Sequence, residues 1–507
     1  MKYILGIDIG TTAIKGAVIG EDGKIYGTQT SEYSLTTLST GEVEADLQLY
    51  IDAFTKSVKG AITDAGVDTD KITCVGFSST AETCVFLDER NEPLCKVIAW
   101  MDTRATREAE YLTEHFEKKD IIQKVGFDGI YAIHPVSKIL AVKNKTPDIF
   151  ENTRMFAQIK DYFVYRLTGE YYTDDSTASD HGFYDIRNRC YWTEMLDFVG
   201  IREEYLPKIV PPGTEIGTIS SQAAMEFGLN PNTKINVGAF DQGCGAIGAG
   251  NIRPGIASES SGSALVTVTT IDALNPDATG DVPTLCSAIP GKYMYQPYCT
   301  GSIIVKWYRD TFCEKEKMIE KQTGVNAYTQ MDELVMSTRP GADGLIMLPY
   351  FQGSGIPELN ENAQGVYFGI TATHTRGHFI RAIMEGLAIA LRRMLECEQK
   401  LGAEMTEIRS LGGGSKSKAW CQIKADILGI PVKVIDNSES TACMGCAILA
   451  GVANGIWNSV EEAAEQFVSI KETYEPNPDN RELYEKVYNQ YVEVTKALNP
   501  VFNSKTQ

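Results

Sequence analysis

Short β-branched apolar runs open the chain, "YILGIDIG", "IKGAVIG" and "KIYGTQT", divided by Gly10 and by the turn-forming "EDG". The expected local structure is a meander of three antiparallel strands. "ITCVGFSST" and "EPLCKVIAW" read as further strands, the second leading into a charged helix from about Thr103. Apolar positions then fall at helical spacing in "KILAVKNKTPDIF" and "MFAQIKDYFVYRLTG", the latter stopped by Gly169. "KINVGAFD" returns to strand after turns near Pro211-Pro212 and "LNPNT".

Beyond "NIRPG" the opening pattern is echoed. "IASESSGSALVTVTT" is again strand, small hydroxyl-rich turn and strand, although the letters alone are too different to count as a repeat. Long helical patterns follow in "HFIRAIMEGLAIALRRMLECEQKLG" and "KAWCQIKADILG". The expected organisation is two α/β domains, residues 1–250 and 251–490, with "GAGNIRPG" supplying the Gly and Pro of a hinge. A tail over 491–507 completes the chain, its last residues, "NSKTQ", read as frayed.

With 507 residues, 43% apolar and 22% charged, the composition is that of a globular protein rather than a disordered or fibrous one. A net charge of −20 argues against nucleic-acid backbones and anionic membranes as partners. "MKYILGIDIG" has too short an apolar run for a secretory signal, and no stretch approaches the roughly 20 apolar residues of a membrane span, so a cytoplasmic protein is expected. The twelve cysteines lie singly in apolar contexts, as reduced, packed thiols do. Cys443-Met-Gly-Cys446 alone has metal-like spacing. It sits in a run of small residues, "TACMGCAILAGVANG", suited to a close-packed helix.

The chemistry gathers at glycine-rich turns. Gly10 permits close approach of a phosphate, whose oxygens Thr11, Thr12 and the Ala13 backbone could hold; Gly262 and Ser263 would do the same in the second domain. Asp8 beside the first turn is placed to hold a divalent cation bridging phosphate oxygens, or else is a turn aspartate. Asp241, between a strand and a small-residue helix, is either a carboxylate that takes the proton of an attacking hydroxyl or a helix cap. The literal Gly243-x-Gly245-x-x-Gly248 is a poor dinucleotide fingerprint, since Asp241 would repel the pyrophosphate. Gly412-Gly413-Gly414-Ser415 offers a side-chain-free floor for a nucleoside.

Taken in order, "GIDIGTTAIKG", "VGFSSTAETCVFLD" with "AWMDTRA", "GAFDQ", "SGSA", "GVYFGITATHTRGHFIRAIMEGLAIALRR" and "LGGGSKSKAWCQIKADILGIPV" resemble the FGGY carbohydrate kinases over about residues 2–490. That resemblance implies two actin/hexokinase-like (ribonuclease H-like) domains flanking an active-site cleft, and ATP with Mg2+ as phosphoryl donor. It implies a first phosphate loop at Thr11, Thr12, Ala13 and Lys15, a metal site at Asp8 with Asp241, Asp241 as catalytic base, and a second loop at Gly262 and Ser263. Adenosine contacts would fall on Gly412, Gly413, Gly414 and Ser417. The sugar side would comprise Thr80, Ala81, Glu82, Asp102, Arg104, Gln242 and, in the 131–138 segment, His134.

The sequence departs from the family at "SGSA", where Gly-Thr-Ser is usual but a hydroxyl is kept. It departs again at "STAET", which differs from the Gln-Met-His of xylulokinases and bears on the substrate. The implied activity is phosphorylation of a ketopentose such as xylulose; a polyol, gluconate or another ketose is the alternative acceptor. A non-catalytic sugar-sensing protein is the alternative of another class, disfavoured by the acidic charge. A homodimer is the expected assembly.

Overall fold

In a computed structural model the chain packs into two compact units, Met1–Ile252 with Thr270–Met294 and Ser440–Val468, and Arg253–Thr269 with Tyr295–Glu439 and Ser469–Gln507. Residues 1–38 and 41–504 are described.

The first unit begins with the expected meander: β1 (Tyr3–Ile9), β2 (Ala13–Gly20) and β3 (Ile25–Glu32). Helix α1 (Leu47–Ala65) ends on left-handed Gly66 and lays Tyr50, Phe54 and Val58 on the sheet. Strand β4 (Ile72–Ser79) pairs parallel with β1. After α2 (Pro135–Lys145) and α3 (Ile159–Thr168), β5 (Glu215–Thr218) and β6 (Lys234–Asn236) complete the order β5-β6-β4-β1-β2-β3. Helix α4 (Asp241–Gly248) follows.

Two of the expected helices are shorter than their apolar pattern. Pro147 cannot continue the backbone ladder of α2, so a separate helix, Pro147–Asn152, starts there. Met155–Gln158 forms a strand, and α3 begins only at Ile159, where Gln158 and Asp161 make a reciprocal capping box.

The second unit opens with β7 (Gly255–Ser261) and β8 (Ala264–Ile271). The echo read in the sequence is structural: β7 and β8 repeat the lengths and the inside–outside pattern of β1 and β2 residue for residue. Helix α5 (Arg376–Lys400), strand β9 (Met405–Leu411), helix α6 (Lys418–Leu428), β10 (Val432–Ile435) and β11 (Ile470–Tyr474) follow, in the strand order β8-β7-β9-β10-β11. β9 runs parallel to β7 as β4 does to β1. The segment read as a tail is helical through Asn503, with Tyr491, Val494 and Phe502 buried; Lys505–Gln507 of the expected frayed end lie outside the described residues.

Helix α7 (Thr441–Ala453) belongs to the first unit, where its small residues do what the sequence suggested. Cys446 is buried, with its thiol against the Gly76 carbonyl at 3.5 Å. A Cβ on Gly445 would sit 1.9 Å from the Cys244 carbonyl oxygen, and one on Gly248 1.9 Å from that of Thr441. The Gly-x-Gly-x-x-Gly spacing of α4 thus includes a backbone-close helix crossing.

Glu398 of α5 supplies a stability test. Buried, it accepts hydrogen bonds from Thr267 (2.7 Å) and Thr269, and burial pushes its carboxyl up to about 8 from 4.5. The folded state keeps a proton that the unfolded chain releases, so this contribution is full below about pH 4.5 and fades as pH rises to about 8. Glu398→Gln is expected to flatten the melting temperature over that interval; an unchanged pH slope would contradict the assignment.

Candidate active site

At the end of β1, Asp8 is half-buried and accepts a hydrogen bond from Ser78 Oγ at 2.7 Å. Burial raises its pKa, against the opposing effects of Ser78 and the Lys15 ammonium. The turn to β2 is closed by Gly10 N–H to the Ala13 carbonyl, and the Trp100 indole N–H holds Thr11 Oγ1 at 2.8 Å. Thr12 is exposed, and Lys15 donates to Ser440 at 2.8 Å. The turn therefore presents hydroxyls and an ammonium beside a carboxylate.

Asp241 is the first residue of α4; Phe240 occupies the cap, so the helix-cap alternative is not realised. Its Oδ1 is sealed from solvent without a hydrogen-bond partner. Burial, then the charges of Asp8 and Glu82, push its carboxyl up to about 8, while Gln242 opposes the shift by hydrogen-bonding. Its backbone is anchored from below: Phe240 N–H donates to Ser176 Oγ at 3.0 Å, Ser176 donates to Asp174, and Asp174 pairs with Lys160, both charges fully buried.

The sugar-side residues divide. Glu82 is buried beside Asp180, each affecting the other's ionisation. His134, fully buried, lies with Nε2 3.5 Å from Asp180 Oδ1. Ala81 N–H donates to Glu82 at 3.2 Å, and the hydroxyls of Thr80 and Thr83 are 3.3 Å apart. Asp102 and Arg104 face each other instead: the guanidinium binds both Asp102 oxygens and Glu44, and Asp102 also accepts from Val43 N–H at 2.6 Å.

In the second unit, Gly262 and Ser263 are exposed at the β7–β8 turn, which Gly262 N–H closes onto the Ala264 carbonyl, as Gly10 does in the first. The glycine run lies beside it: Gly414 packs on Ser261 and the Trp420 ring, and Gly412 on the Ser261 backbone, while Gly413 is exposed. Underneath, fully buried Lys424 and Glu259 pair, and both bind Ser261. Ser417 caps α6 and donates to Asp332 at 2.6 Å.

Residues 3–248 match the N-terminal domain, and residues 271–454 the C-terminal domain, of the FGGY family of carbohydrate kinases. The chain belongs to this family. This FGGY kinase is 28% identical to a xylulose kinase of Bacillus subtilis over 99% of both chains. It is equally, 28%, identical to a gluconokinase of the same organism, over 98% of this chain and 96% of the other. The crystal structure of ligand-bound xylulose kinase from Lactobacillus acidophilus superposes with a TM-score of 0.89 at 26% identity, covering 99% of each chain. The FGGY kinase is thus an ATP-dependent carbohydrate phosphotransferase with two mixed α/β domains of the actin-like kinase fold. Among its described residues no helix is long and apolar enough to cross a membrane.

Sequence reading missed Asp180 and the Lys160–Asp174 pair of this kinase. The signal was present in "TDDSTASD", an acid and hydroxyl run, but only tertiary structure buries those charges.

Proposed function

We propose that this FGGY kinase transfers the γ-phosphoryl group of ATP to a hydroxyl of a ketopentose such as xylulose, with Asp241 as base. The observation that carries the reading is the orphaned Oδ1 of Asp241, flanked by Asp8 and Glu82. A sugar hydroxyl donates to that oxygen. As the hydroxyl oxygen bonds to the γ-phosphorus, its proton passes to Asp241, the bond from the γ-phosphorus to its bridging oxygen breaks, and ADP leaves. Thr11, Thr12, the Ala13 backbone and Lys15 bind phosphate oxygens, as do Gly262 and Ser263; Gly412–Gly414 and Ser417 receive the adenosine.

Asp8 and Asp241 suit magnesium, which takes one or two carboxylates beside phosphate oxygens. Asp8 has committed one oxygen to Ser78, and its charge raises the pKa of Asp241, so a cation would relieve both. When bound, magnesium neutralises charge on the phosphates. Asp8→Asn is expected to raise the magnesium needed for half-maximal rate by about 10–100-fold, the range for disturbed metal sites. An unchanged magnesium dependence would make Asp8 structural.

Residue chemistry has to decide the acceptor, because identity to the xylulose kinase and the gluconokinase is the same. ADP release coupled to NADH oxidation, across D-xylulose, D-ribulose, D-fructose, xylitol and glycerol, tests the reading. The highest kcat/KM is expected for a ketopentose; a hexulose or glycerol ahead of both pentuloses would overturn it. Light scattering reads directly whether the chain forms a homodimer.

A further inference from the structure

Tyr33 and Ser302 are not among the residues assigned above to binding or chemistry, yet each holds one of the two hydroxyl-bearing turns in the same way. Tyr33 follows β3, the antiparallel neighbour of β2. Its hydroxyl donates to the Gly10 carbonyl, and its backbone N–H to the Thr12 carbonyl at 2.9 Å. Burial, and then Tyr50, raise its pKa, so the phenol keeps the hydrogen it donates. In the second unit Ser302 stands just after the strand Tyr298–Thr300, an antiparallel neighbour of β8. Its backbone N–H donates to the Gly262 carbonyl at 2.8 Å, and its hydroxyl to the Ser261 carbonyl at 2.9 Å. The Ser263 carbonyl is taken by Gly301 N–H at 3.0 Å.

The C=O and N–H of one trans peptide point to opposite sides. Fixing the Gly10 carbonyl therefore fixes the direction of Thr11 N–H, and fixing the Gly262 carbonyl fixes that of Ser263 N–H. Both N–H groups are without a hydrogen-bond partner among the described residues. Thr11 Oγ1 already accepts from Trp100, so its own hydrogen is left to donate. Carbonyl oxygens committed within the fold and N–H groups left over are what an anion requires of a turn.

Resting on the reading of these turns as phosphate-binding, we propose that Tyr33 and Ser302 are positioning residues for phosphoryl transfer, which bind the turn carbonyls and so present the turns' N–H groups to the triphosphate. One device then serves both turns, with a phenol in the first unit and a serine in the second. Both residues act through the turns rather than on the nucleotide.

Tyr33→Phe and Ser302→Ala each delete one hydroxyl and leave the backbone N–H bond in place. Titration calorimetry on the full chain with magnesium reads two probes, inorganic tripolyphosphate, which has only the phosphates, and adenosine, which has none. Each variant is expected to weaken tripolyphosphate by about three- to tenfold, as loss of one hydrogen bond does, and to leave adenosine unchanged. The losses should multiply in the double variant, because the two residues share no partner. A merely structural role would lower the melting temperature and weaken both probes alike or neither, which overturns the proposal.

Thr12→Val, which removes a hydroxyl of the turn itself, separates this assignment from the reading beneath it. Tripolyphosphate weakened by Thr12→Val but by neither Tyr33→Phe nor Ser302→Ala overturns the positioning role and leaves the phosphate turns standing. Tripolyphosphate that the parent protein does not bind, or that none of the three variants weakens, overturns the phosphate reading, and this assignment with it. Should Tyr33→Phe not fold, Ser302→Ala decides.

Discussion

Asp241→Asn is expected to lower the turnover of sugar phosphorylation by at least about 10²-fold, the lower range for loss of a general base. ATP affinity and melting temperature should stay close to those of the parent protein. Asparagine keeps the shape at the first position of α4 and leaves the Phe240 cap and the Ser176 anchor untouched, but it cannot take the acceptor's proton. Turnover, nucleotide affinity and melting temperature measured on the one variant separate chemistry from folding. Near-normal turnover in a folded variant would remove Asp241 from the catalytic role.

Lys160→Met should be the most destabilising of the substitutions considered. Lys160 and Asp174 are both fully buried, and removing the ammonium leaves a buried carboxylate uncompensated, which costs about 3–5 kcal/mol. Asp174 also caps the short helix Asp175–Ala178, whose Ser176 anchors Phe240. The turnover of the surviving folded fraction should therefore drop as well. Adding Asp174→Asn should recover part of the stability, since the uncompensated charge is then gone. Urea unfolding of the single and double variants checks this; a loss below about 1 kcal/mol for Lys160→Met alone would mean that the pair is not load-carrying in water-free surroundings.

Much of this arrangement was legible because it is local. The β1–β2 and β7–β8 turns are written in consecutive residues, a strand, a glycine with hydroxyls and a second strand. Only the fold shows that two dissimilar letter strings make one pattern of burial. The small-residue helix was readable for the same reason. What it packs against was not, because Gly248 lies against Thr441 and Gly445 against Cys244, partners about 200 positions away that meet only through the fold. The apolar spacing of "MFAQIKDYF" misplaced a helix start, since a buried strand and a buried helix share the same letters until a capping box decides between them. In the candidate site, Asp8 stood out as a single carboxylate in an apolar strand and Asp241 as one between a strand and a small-residue helix. Asp102 and Arg104 came only from the family resemblance, and the fold turns them toward each other and Glu44. Asp180 carried no signal of its own, because an orphaned hydrogen-bonding atom is a property of the folded surroundings, and His134 was reached only through the family resemblance.

The most direct measurement follows the phosphoryl group itself. ATP labelled with 18O in the γ-phosphoryl group is incubated with the enzyme, magnesium and D-xylulose, and the products are resolved by mass spectrometry. One labelled phosphoryl group on the sugar for each ADP released is the expected result. Label found only in inorganic phosphate, with the sugar unchanged, would contradict phosphoryl transfer to a ketopentose.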